Sequence, residues 1–194
     1  MYDGGVKTNY QYRGVDAREM LVASAQKLFA EQGVEATSPR QVLEDSGVGK
    51  GSLYHHFPTK RDLAHAAIDR MSVASLDNAR SVLMSSGTPF ERLSAYLTKP
   101  RDAVAGCRVG RLTSDATVMA SDELQQPVHD YFTHLIDLVA EVFVEAGATP
   151  KRARERAITA VAVIQGGYVL SRALDDPDLM SRAVTGFLDL IEDR

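Results

Sequence analysis

The stretch GVGKGSLYHHF, at residues 47–57, brings together several residue types that could do chemistry. Three glycines, a lysine, a serine, a tyrosine and two adjacent histidines occupy eleven positions. Such a set could belong to a phosphate-binding loop, to a metal site or to a surface that contacts nucleic acid. These three kinds of site require different spacings.

The spacing disfavours the first two kinds of site. A phosphate-binding loop of the pattern G-x-x-x-x-G-K-[ST] needs a glycine five residues before Gly49, where this chain has Glu44. It also needs a serine or threonine after the lysine, where this chain has a glycine. His55 and His56 are adjacent, so on a helix they would point about 100° apart and could not easily share one ion. We therefore expect no cofactor and no structural metal.

Helix start and stop signals favour a nucleic-acid contact. Ser38 is a good N-cap residue, Pro39 suits the first helical position, and Gln41 can complete a capping box. That helix ends at Gly47, a turn residue that takes a positive φ, and a second short helix follows at about 50–57. Two short helices joined by a tight glycine turn form a helix-turn-helix, a DNA-binding motif.

The start of the second helix indicates how this motif would meet DNA. Lys50 is its first residue, so a lysine lies beside free backbone N–H groups and the positive end of the helix dipole. Gly51 and Ser52 are small enough for a close approach to a major groove. Tyr54 and His55 offer donors at the height of the phosphates.

The remaining sequence predicts an all-α protein of about nine helices, because apolar residues recur at i, i+3 and i+4 and strand-like alternation is absent. Asp16 should cap the first helix, with Glu19 completing a capping box. Three short or medium helices come first and longer ones follow, the clearest at about 122–146. The polar residues 1–15 read as a flexible N-terminal extension.

Composition limits the class of protein. The chain has 44% hydrophobic and 25% charged residues, as ordinary globular proteins do. No apolar run approaches the ~20 residues that span a bilayer, the first sixteen residues lack the apolar stretch of a secretory signal, and the single cysteine fits a reducing compartment. We expect a cytoplasmic protein with no membrane partner.

Charge is unevenly distributed along the chain. The net charge is −4, yet residues 1–62 hold eight basic and eight acidic side chains, so the acidic excess lies in the remainder. A neutral N-terminal part permits DNA binding. Enzyme motifs such as G-x-S-x-G and HExxH do not stand out, and we expect no enzymatic activity.

Residues 17–69 closely resemble the DNA-binding head of the tetracycline-repressor-like (TetR) family of bacterial transcription regulators. The matching elements stand in a fixed order over about 50 residues. They are Leu28-Phe29, Gly33, Ala36-Thr37-Ser38, Gly47-Val48, Lys50-Gly51, Leu53-Tyr54-His55-His56-Phe57 and Lys60. The rest of the chain matches only in helix number and in the pattern GCRVGRLTSD at 106–115, and Leu43 departs from the alanine that many members have.

The resemblance assigns roles to the polar residues of the head. It implies phosphate contacts from Ser38, Tyr54, His55 and Lys60. It implies that base edges are read by Arg40, Gln41, Lys50, Gly51 and Ser52. It divides the chain into a helix-turn-helix DNA-binding domain at 16–62 and a ligand-binding and dimerisation domain at 63–194.

The resemblance also implies a function. It predicts a ligand-responsive, sequence-specific transcriptional regulator, most often a repressor that a small-molecule effector releases from a palindromic operator in double-stranded DNA. The alternative is a DNA-binding protein without a small-molecule ligand, constitutive or architectural, whose body would need no pocket.

Reading two half-sites requires two recognition helices, so we predict a twofold homodimer. The last two helices, at about 150–173 and 177–192, carry apolar stripes that suit the interface. The same stripes could instead serve only the intramolecular core. The interface candidates are Ile158, Val161, Ala162, Gly166, Val169, Ala173, Leu179, Ala183, Phe187 and Leu190.

A ligand pocket is implied by the resemblance and would lie among the central helices. Its candidate residues are Met71, Phe90, Leu93, Tyr96, Leu97, Arg108, Leu112, Met119, Tyr131, Leu135 and Tyr168. The effector could be hydrophobic or anionic. If Arg108 or Arg111 faces inward, an anionic or carboxylate-bearing effector is favoured; if both face water, a neutral hydrophobe is.

Overall fold

The computed structural model describes residues 16–192, and over that range the chain contains only α-helices and one 3₁₀ turn. The nine α-helices confirm the predicted all-α fold. The helices are α1 Ala17–Gln32, α2 Pro39–Ser46, α3 Lys50–His56, α4 Lys60–Leu83, α5 Pro89–Thr98, α6 Ala116–Met119, α7 Asp122–Glu145, α8 Pro150–Leu174 and α9 Asp178–Glu192, with the 3₁₀ turn at Gly110–Ser114. The predicted extension at 1–15 lies outside the described residues.

Side-chain caps start the helices of the N-terminal head where the sequence predicts them. The Ser38 hydroxyl accepts from the Gln41 N–H, and the Gln41 side chain accepts from the Ser38 N–H, so α2 begins with a complete capping box. Asp16 caps α1 as expected, but Glu19 does not complete a box. Glu19 pairs instead with Arg70 of α4, 2.6 Å away, because that long-range ion pair competes for its carboxylate.

The head is a small core formed by α1, α2, α3 and the start of α4. Val42 of α2 and Leu53 of α3 are buried, and Val48 in the turn between them is partly buried against the same core. Phe29 of α1 is buried as well. This core fixes the angle at which α3 projects from the head.

The helices α4, α7, α8 and α9 form the larger body. Helix α4 packs against α1 in the head and against α5 and α7 in the body, and α8 packs between α7 and α9. Because α4 runs unbroken from residue 60 to 83, the predicted boundary between 62 and 63 falls inside a helix. Head and body therefore share one rigid element.

Helix α8 is unusually apolar for its exposure. Within residues 16–192 it is the one helix that is long and apolar enough to cross a bilayer by length and composition, although no such run was predicted from the sequence. Only 33% of its most apolar window is buried within this chain. Core helices of globular proteins pass the same test, and here α7 and α9 cover one side of α8.

Candidate DNA-binding face and ligand cavities

Two glycines, Gly47 and Gly49, precede helix α3. Gly47 ends α2 with φ 68° and ψ 9°, a left-handed conformation that glycine adopts without strain. Gly49 is the N-cap of α3 and has no side chain to satisfy the first N–H groups of the helix. The Ser52 N–H donates to the Gly49 carbonyl at 3.0 Å, which leaves the N–H groups of Lys50 and Gly51 available to an external acceptor.

The outer face of α3 carries polar side chains without internal partners. Lys50, Tyr54 and His55 are exposed and Ser52 is partly exposed. None of the four side chains forms a hydrogen bond or ion pair with residues 16–192. Gly51 also lies on this face, and nothing lies within 4 Å of the position that a Cβ would occupy there.

The other four predicted DNA contacts are engaged within the head. Ser38 and Gln41 hold each other in the capping box of α2. Arg40 pairs with Glu44 at 2.7 Å on the exposed side of α2, and the Lys60 ammonium donates to the Glu35 carbonyl at 3.1 Å. Each of these side chains therefore already has one internal partner.

The segment 106–115 joins the head to the body. The Arg111 guanidinium donates to the Ala30 carbonyl and, at 3.1 Å, to the Glu31 carbonyl, both in the last turn of α1. The Asp115 Oδ2 accepts from the N–H groups of Val34 at 2.6 Å and of Glu35 at 3.2 Å. We call this pair of side chains, Arg111 and Asp115, the α1 clamp.

The Asp115 carboxylate accepts hydrogen bonds from both the head and the body. Its Oδ1 caps α6 by accepting from the Thr117 and Val118 N–H groups at 3.0 and 3.2 Å. Gly33 makes room for this carboxylate, because a Cβ there would lie 2.9 Å from Asp115 Oδ2, and its φ of 89° also favours glycine. The segment 106–115 stands out in the sequence, but no role was predicted for Asp115, whose position before a short helix is an N-cap signal.

Two cavities meet at the α1 clamp. The first, of 560 Å³, is bounded by Tyr96, Tyr131 and Tyr168, and we call it the tyrosine cavity. The second, of 800 Å³, lies under the end of α1 between the 3₁₀ turn and α8, and we call it the joint cavity. Cys107, Arg111 and Tyr168 line both cavities.

The predicted pocket residues are divided between these cavities and the core. Tyr96, Arg108, Tyr131 and Tyr168 line the tyrosine cavity, and Leu112 and Tyr168 line the joint cavity. The remaining candidates line neither: Met71, Leu93, Leu97 and Leu135 are buried in the core, and Phe90 and Met119 are largely exposed.

The tyrosine cavity is lined by neutral phenols and by cations. Burial raises the pKa of Tyr96 and of Tyr131, and raises that of Tyr168 to about 12, with the Cys107 side chain contributing in each case. All three phenols therefore stay protonated at neutral pH. Arg101 lies 5.2 Å from the centre of the Tyr96 ring and donates to three carbonyls at the end of α5.

The dimer candidates fall into an outer and an inner set. Val169 and Leu190 are 67% and 70% exposed, Ile158 is 49% exposed, and Ala162 and Ala173 are exposed as well. Gly166 has open space at its Cβ position. Leu179 and Ala183 are half-buried, and Val161 and Phe187 are buried within the chain, so these two side chains already belong to the intramolecular core.

The described part of the chain contains no cluster of potential metal ligands. No group of three or more His, Cys, Asp or Glu side chains among residues 16–192 could hold a metal ion together. His55 and His56 contact each other edge to face, with ring centres 5.2 Å apart.

The head has the architecture of a DNA-binding helix-turn-helix protein, and comparisons with known proteins agree. Residues 21–67 match the bacterial regulatory proteins of the tetR family, and residues 89–185 match the C-terminal domain of LmrA/YxaF-like transcriptional regulators. An HTH-type transcriptional regulator of Mycobacterium tuberculosis is 31% identical over 185 residues, which cover 88% of this chain and 93% of the relative. The chain belongs to the TetR family of transcriptional regulators.

Further similarities support the same family. The HTH-type transcriptional regulator LmrA of Bacillus subtilis is 29% identical over 163 residues, which cover 80% of this chain and 86% of LmrA. The crystal structure of a TetR-family regulator from Agrobacterium tumefaciens superposes with a TM-score of 0.78 at 21% identity, covering 89% of this chain and 96% of that one. This structural likeness extends the shared fold to the body.

Proposed function

We propose that this TetR-family regulator is a ligand-responsive repressor that binds a palindromic operator as a homodimer in the cytoplasm. Residues 16–62 would bind DNA, and residues 63–194 would bind the effector and the second copy. The observation that carries the DNA-binding role is the outer face of α3, where four polar side chains and the N–H groups of Lys50 and Gly51 have no partner within residues 16–192.

The proposed DNA contacts separate into two roles. Lys50, Gly51 and Ser52 stand at the N-terminal end of α3, the part of a recognition helix that approaches base edges. Tyr54, His55 and Lys60 would contact phosphates, which position the helix without reading sequence. Arg40 and Gln41 would join the base contacts once Arg40 leaves Glu44.

Selection from random duplexes tests the DNA-binding role directly. The purified protein should enrich a short palindrome with half-sites about one helical turn apart. Fluorescence anisotropy titration at two salt concentrations should show affinity that falls steeply as salt rises, because phosphate contacts release counterions. Failure to enrich any sequence, in the presence and absence of cell extract as a source of effectors, would contradict the proposal.

The two cavities support a ligand-binding role over a constitutive or architectural one. A body that served only as a dimerisation scaffold would have no use for 560 and 800 Å³ of space beside the head. Arg111 of the α1 clamp lines both cavities, so a ligand in either would touch a side chain that holds α1 in place. Such differential contact is what couples ligand binding to DNA affinity.

The exposed apolar side of α8 and α9 supports dimerisation. Three side chains, Ile158, Val169 and Leu190, are each at least 49% exposed in the single chain and carry a large apolar surface. A second copy packed on this side in a four-helix arrangement would cover them. The small residues Ala162 and Gly166 would let the two backbones approach closely.

A charged substitution on this face tests whether the protein dimerises through it. Val169→Asp should convert the protein to a monomer in sedimentation velocity and reduce operator affinity by at least tenfold, because one head cannot hold two half-sites. The control is Val73→Asp, at a valine on α4 that is 51% exposed, and this variant should remain dimeric. A dimeric Val169→Asp protein would show that the interface lies elsewhere.

A further inference from the structure

The Arg111 guanidinium is a half-buried cation that lacks a carboxylate partner. Its acceptors are all backbone carbonyls, those of Ala30, Glu31 and, more distantly, Ala105 at 3.5 Å. No ion pair joins Arg111 to an acidic side chain among residues 16–192. Carbonyl oxygens satisfy donors without neutralising the charge, so the positive charge remains uncompensated.

A second arginine lies in the same cavity. Arg172, near the end of α8, lines the joint cavity together with Arg111 and forms no hydrogen bond or ion pair within the described residues. Burial lowers the pKa of Arg111, and the charge of Arg172 lowers it further, which places the two cations close enough to repel each other. Like charges held together in a cavity favour an anion between them.

Asp115 leaves part of this positive charge uncompensated. It is the one acidic side chain lining the joint cavity, against Arg111 and Arg172, which leaves a formal charge of +1. Its carboxylate is already occupied by four backbone N–H groups. The cavity therefore suits a ligand with a single negative charge.

The remaining lining of the joint cavity is largely apolar or small. Phe29 and Leu112 are almost fully buried beneath the cavity, and Phe132 is half-buried beside them. Val169 and Ala173, which also belong to the predicted dimer interface, close one side. A volume of 800 Å³ is typical of cavities that bind small organic molecules. A bare inorganic anion would leave this apolar surface without contacts.

We infer that the joint cavity binds an organic monocarboxylate, whose anion pairs with Arg111 and Arg172 and whose apolar body packs on Phe29, Leu112 and Phe132. The Nε of Arg111 and one hydrogen of Nη2 have no acceptor among residues 16–192, and they form the edge that a carboxylate contacts with two parallel hydrogen bonds. This inference rests on the proposed function, because it names the effector class of that regulator.

The same guanidinium would then contact both the ligand and the head. Its Nη1 and Nη2 hold the last carbonyls of α1 while its Nε edge holds the carboxylate. The ligand would thereby act on the residue that anchors the head, with no intervening chain of contacts. Arg111 is thus a ligand-binding residue and a positioning residue for α1 at once.

Calorimetric titration with a matched pair of probes tests the site. 2-Naphthoate and 2-naphthamide have nearly the same size and differ in the charge of one group. The dimeric full-length protein should bind naphthoate at least tenfold more tightly than naphthamide, which corresponds to about 1.4 kcal/mol for the charge-assisted contact. Arg172→Gln should reduce this ratio to about threefold and Arg111→Gln should abolish it.

The controls separate loss of the site from loss of the fold. Arg154→Gln removes the same charge from the same helix, at a surface position paired with Asp137, and should leave the tenfold ratio unchanged. Arg172 is exposed and holds no element in place, so its variant stays folded even if Arg111→Gln is destabilised. Equal binding of the two probes by the unmodified protein, or no binding of either, would overturn the inference.

The titration needs no DNA, which separates this inference from the proposed function. If the protein prefers naphthoate but enriches no duplex, the anion site stands and the proposed regulatory function is contradicted. If the protein enriches a palindrome but shows no preference for naphthoate, the proposed regulatory function stands and the anion site is contradicted.

Discussion

The outer face of α3 and the α1 clamp are both rich in polar groups, but they use those groups in opposite ways. Lys50, Ser52, Tyr54 and His55 have no side-chain partner within residues 16–192. Asp115 accepts from four backbone N–H groups, and Arg111 donates to carbonyls in the last turn of α1. The polar groups of the first region are free to contact an external partner, whereas those of the second already hold the head and the body together.

This difference determines what substitutions should do. A side chain with no internal partner can be removed at little cost in folding free energy, so its loss should affect binding alone. A side chain that satisfies partly buried backbone groups leaves them unpaired when it is removed, and each such group costs about 1–3 kcal/mol.

Asp115→Ala should lower the free energy of unfolding by about 3 kcal/mol, because the N–H groups of Val34 and Glu35 and the cap of α6 lose their acceptor. Urea denaturation at fixed protein concentration measures the loss. Asp45→Ala removes a carboxylate that pairs with Lys27 at the surface, and it should cost less than about 1 kcal/mol. Equal losses in the two variants would contradict the role of the clamp.

Tyr54→Phe should weaken operator binding about fivefold, equivalent to about 1 kcal/mol for one hydrogen bond, and leave stability unchanged. The Tyr54 side chain is 46% exposed, and its hydroxyl has no partner among residues 16–192. Anisotropy titration and thermal denaturation give the two quantities. A variant that bound the operator as well as the unmodified protein would remove Tyr54 from the proposed DNA contacts.

Gly51→Ala should stabilise the free protein by about 0.5–1 kcal/mol, because glycine is a poor helix former and its Cβ position is open. The same methyl group should weaken operator binding, because it would occupy the space between α3 and the bases. Thermal denaturation and anisotropy should thus move in opposite directions. If both stability and affinity increased, Gly51 would not lie close to DNA.

The smallest effect concerns pH. Asp62 accepts from the Thr59 N–H and hydroxyl in the capping box of α4, and these hydrogen bonds hold its pKa below the ordinary value of 3.8. A carboxyl with a lowered pKa stabilises the folded state above pH 3.8 and loses that contribution as pH falls through its folded pKa. The difference in stability between the unmodified protein and Asp62→Asn should be constant from pH 5 to 8 and shrink below about pH 4. A difference that grew on acidification would contradict this assignment.

The head could be predicted from the sequence because its signals are local. Ser38, Pro39 and Gln41 lie within four positions, and the structure confirms the capping box and the turn at Gly47. The clamp could not be predicted in the same way, since Arg111 and Asp115 find their partners about 80 residues earlier in the chain. Nothing near residue 115 indicates that the end of α1 needs an acceptor.

The two cavities also show which features could not be predicted from the sequence. Tyr96, Tyr131 and Tyr168, three of the residues predicted for a pocket, line one cavity. Leu93 and Leu135 have the same helical periodicity but lie in the core. Periodicity identifies the inward side of a helix, and only the packing of several helices decides where space is left between them.

The position of Cys107 gives the protein a built-in reporter. It is the single cysteine of the chain, and it lines both cavities beside the clamp. A thiol-reactive fluorophore or spin label would therefore attach at the joint and nowhere else, without any engineered cysteine. The rate of labelling would report how accessible Cys107 is in solution. A change in that rate on adding an organic acid or DNA would show that either one alters the packing around the α1 clamp.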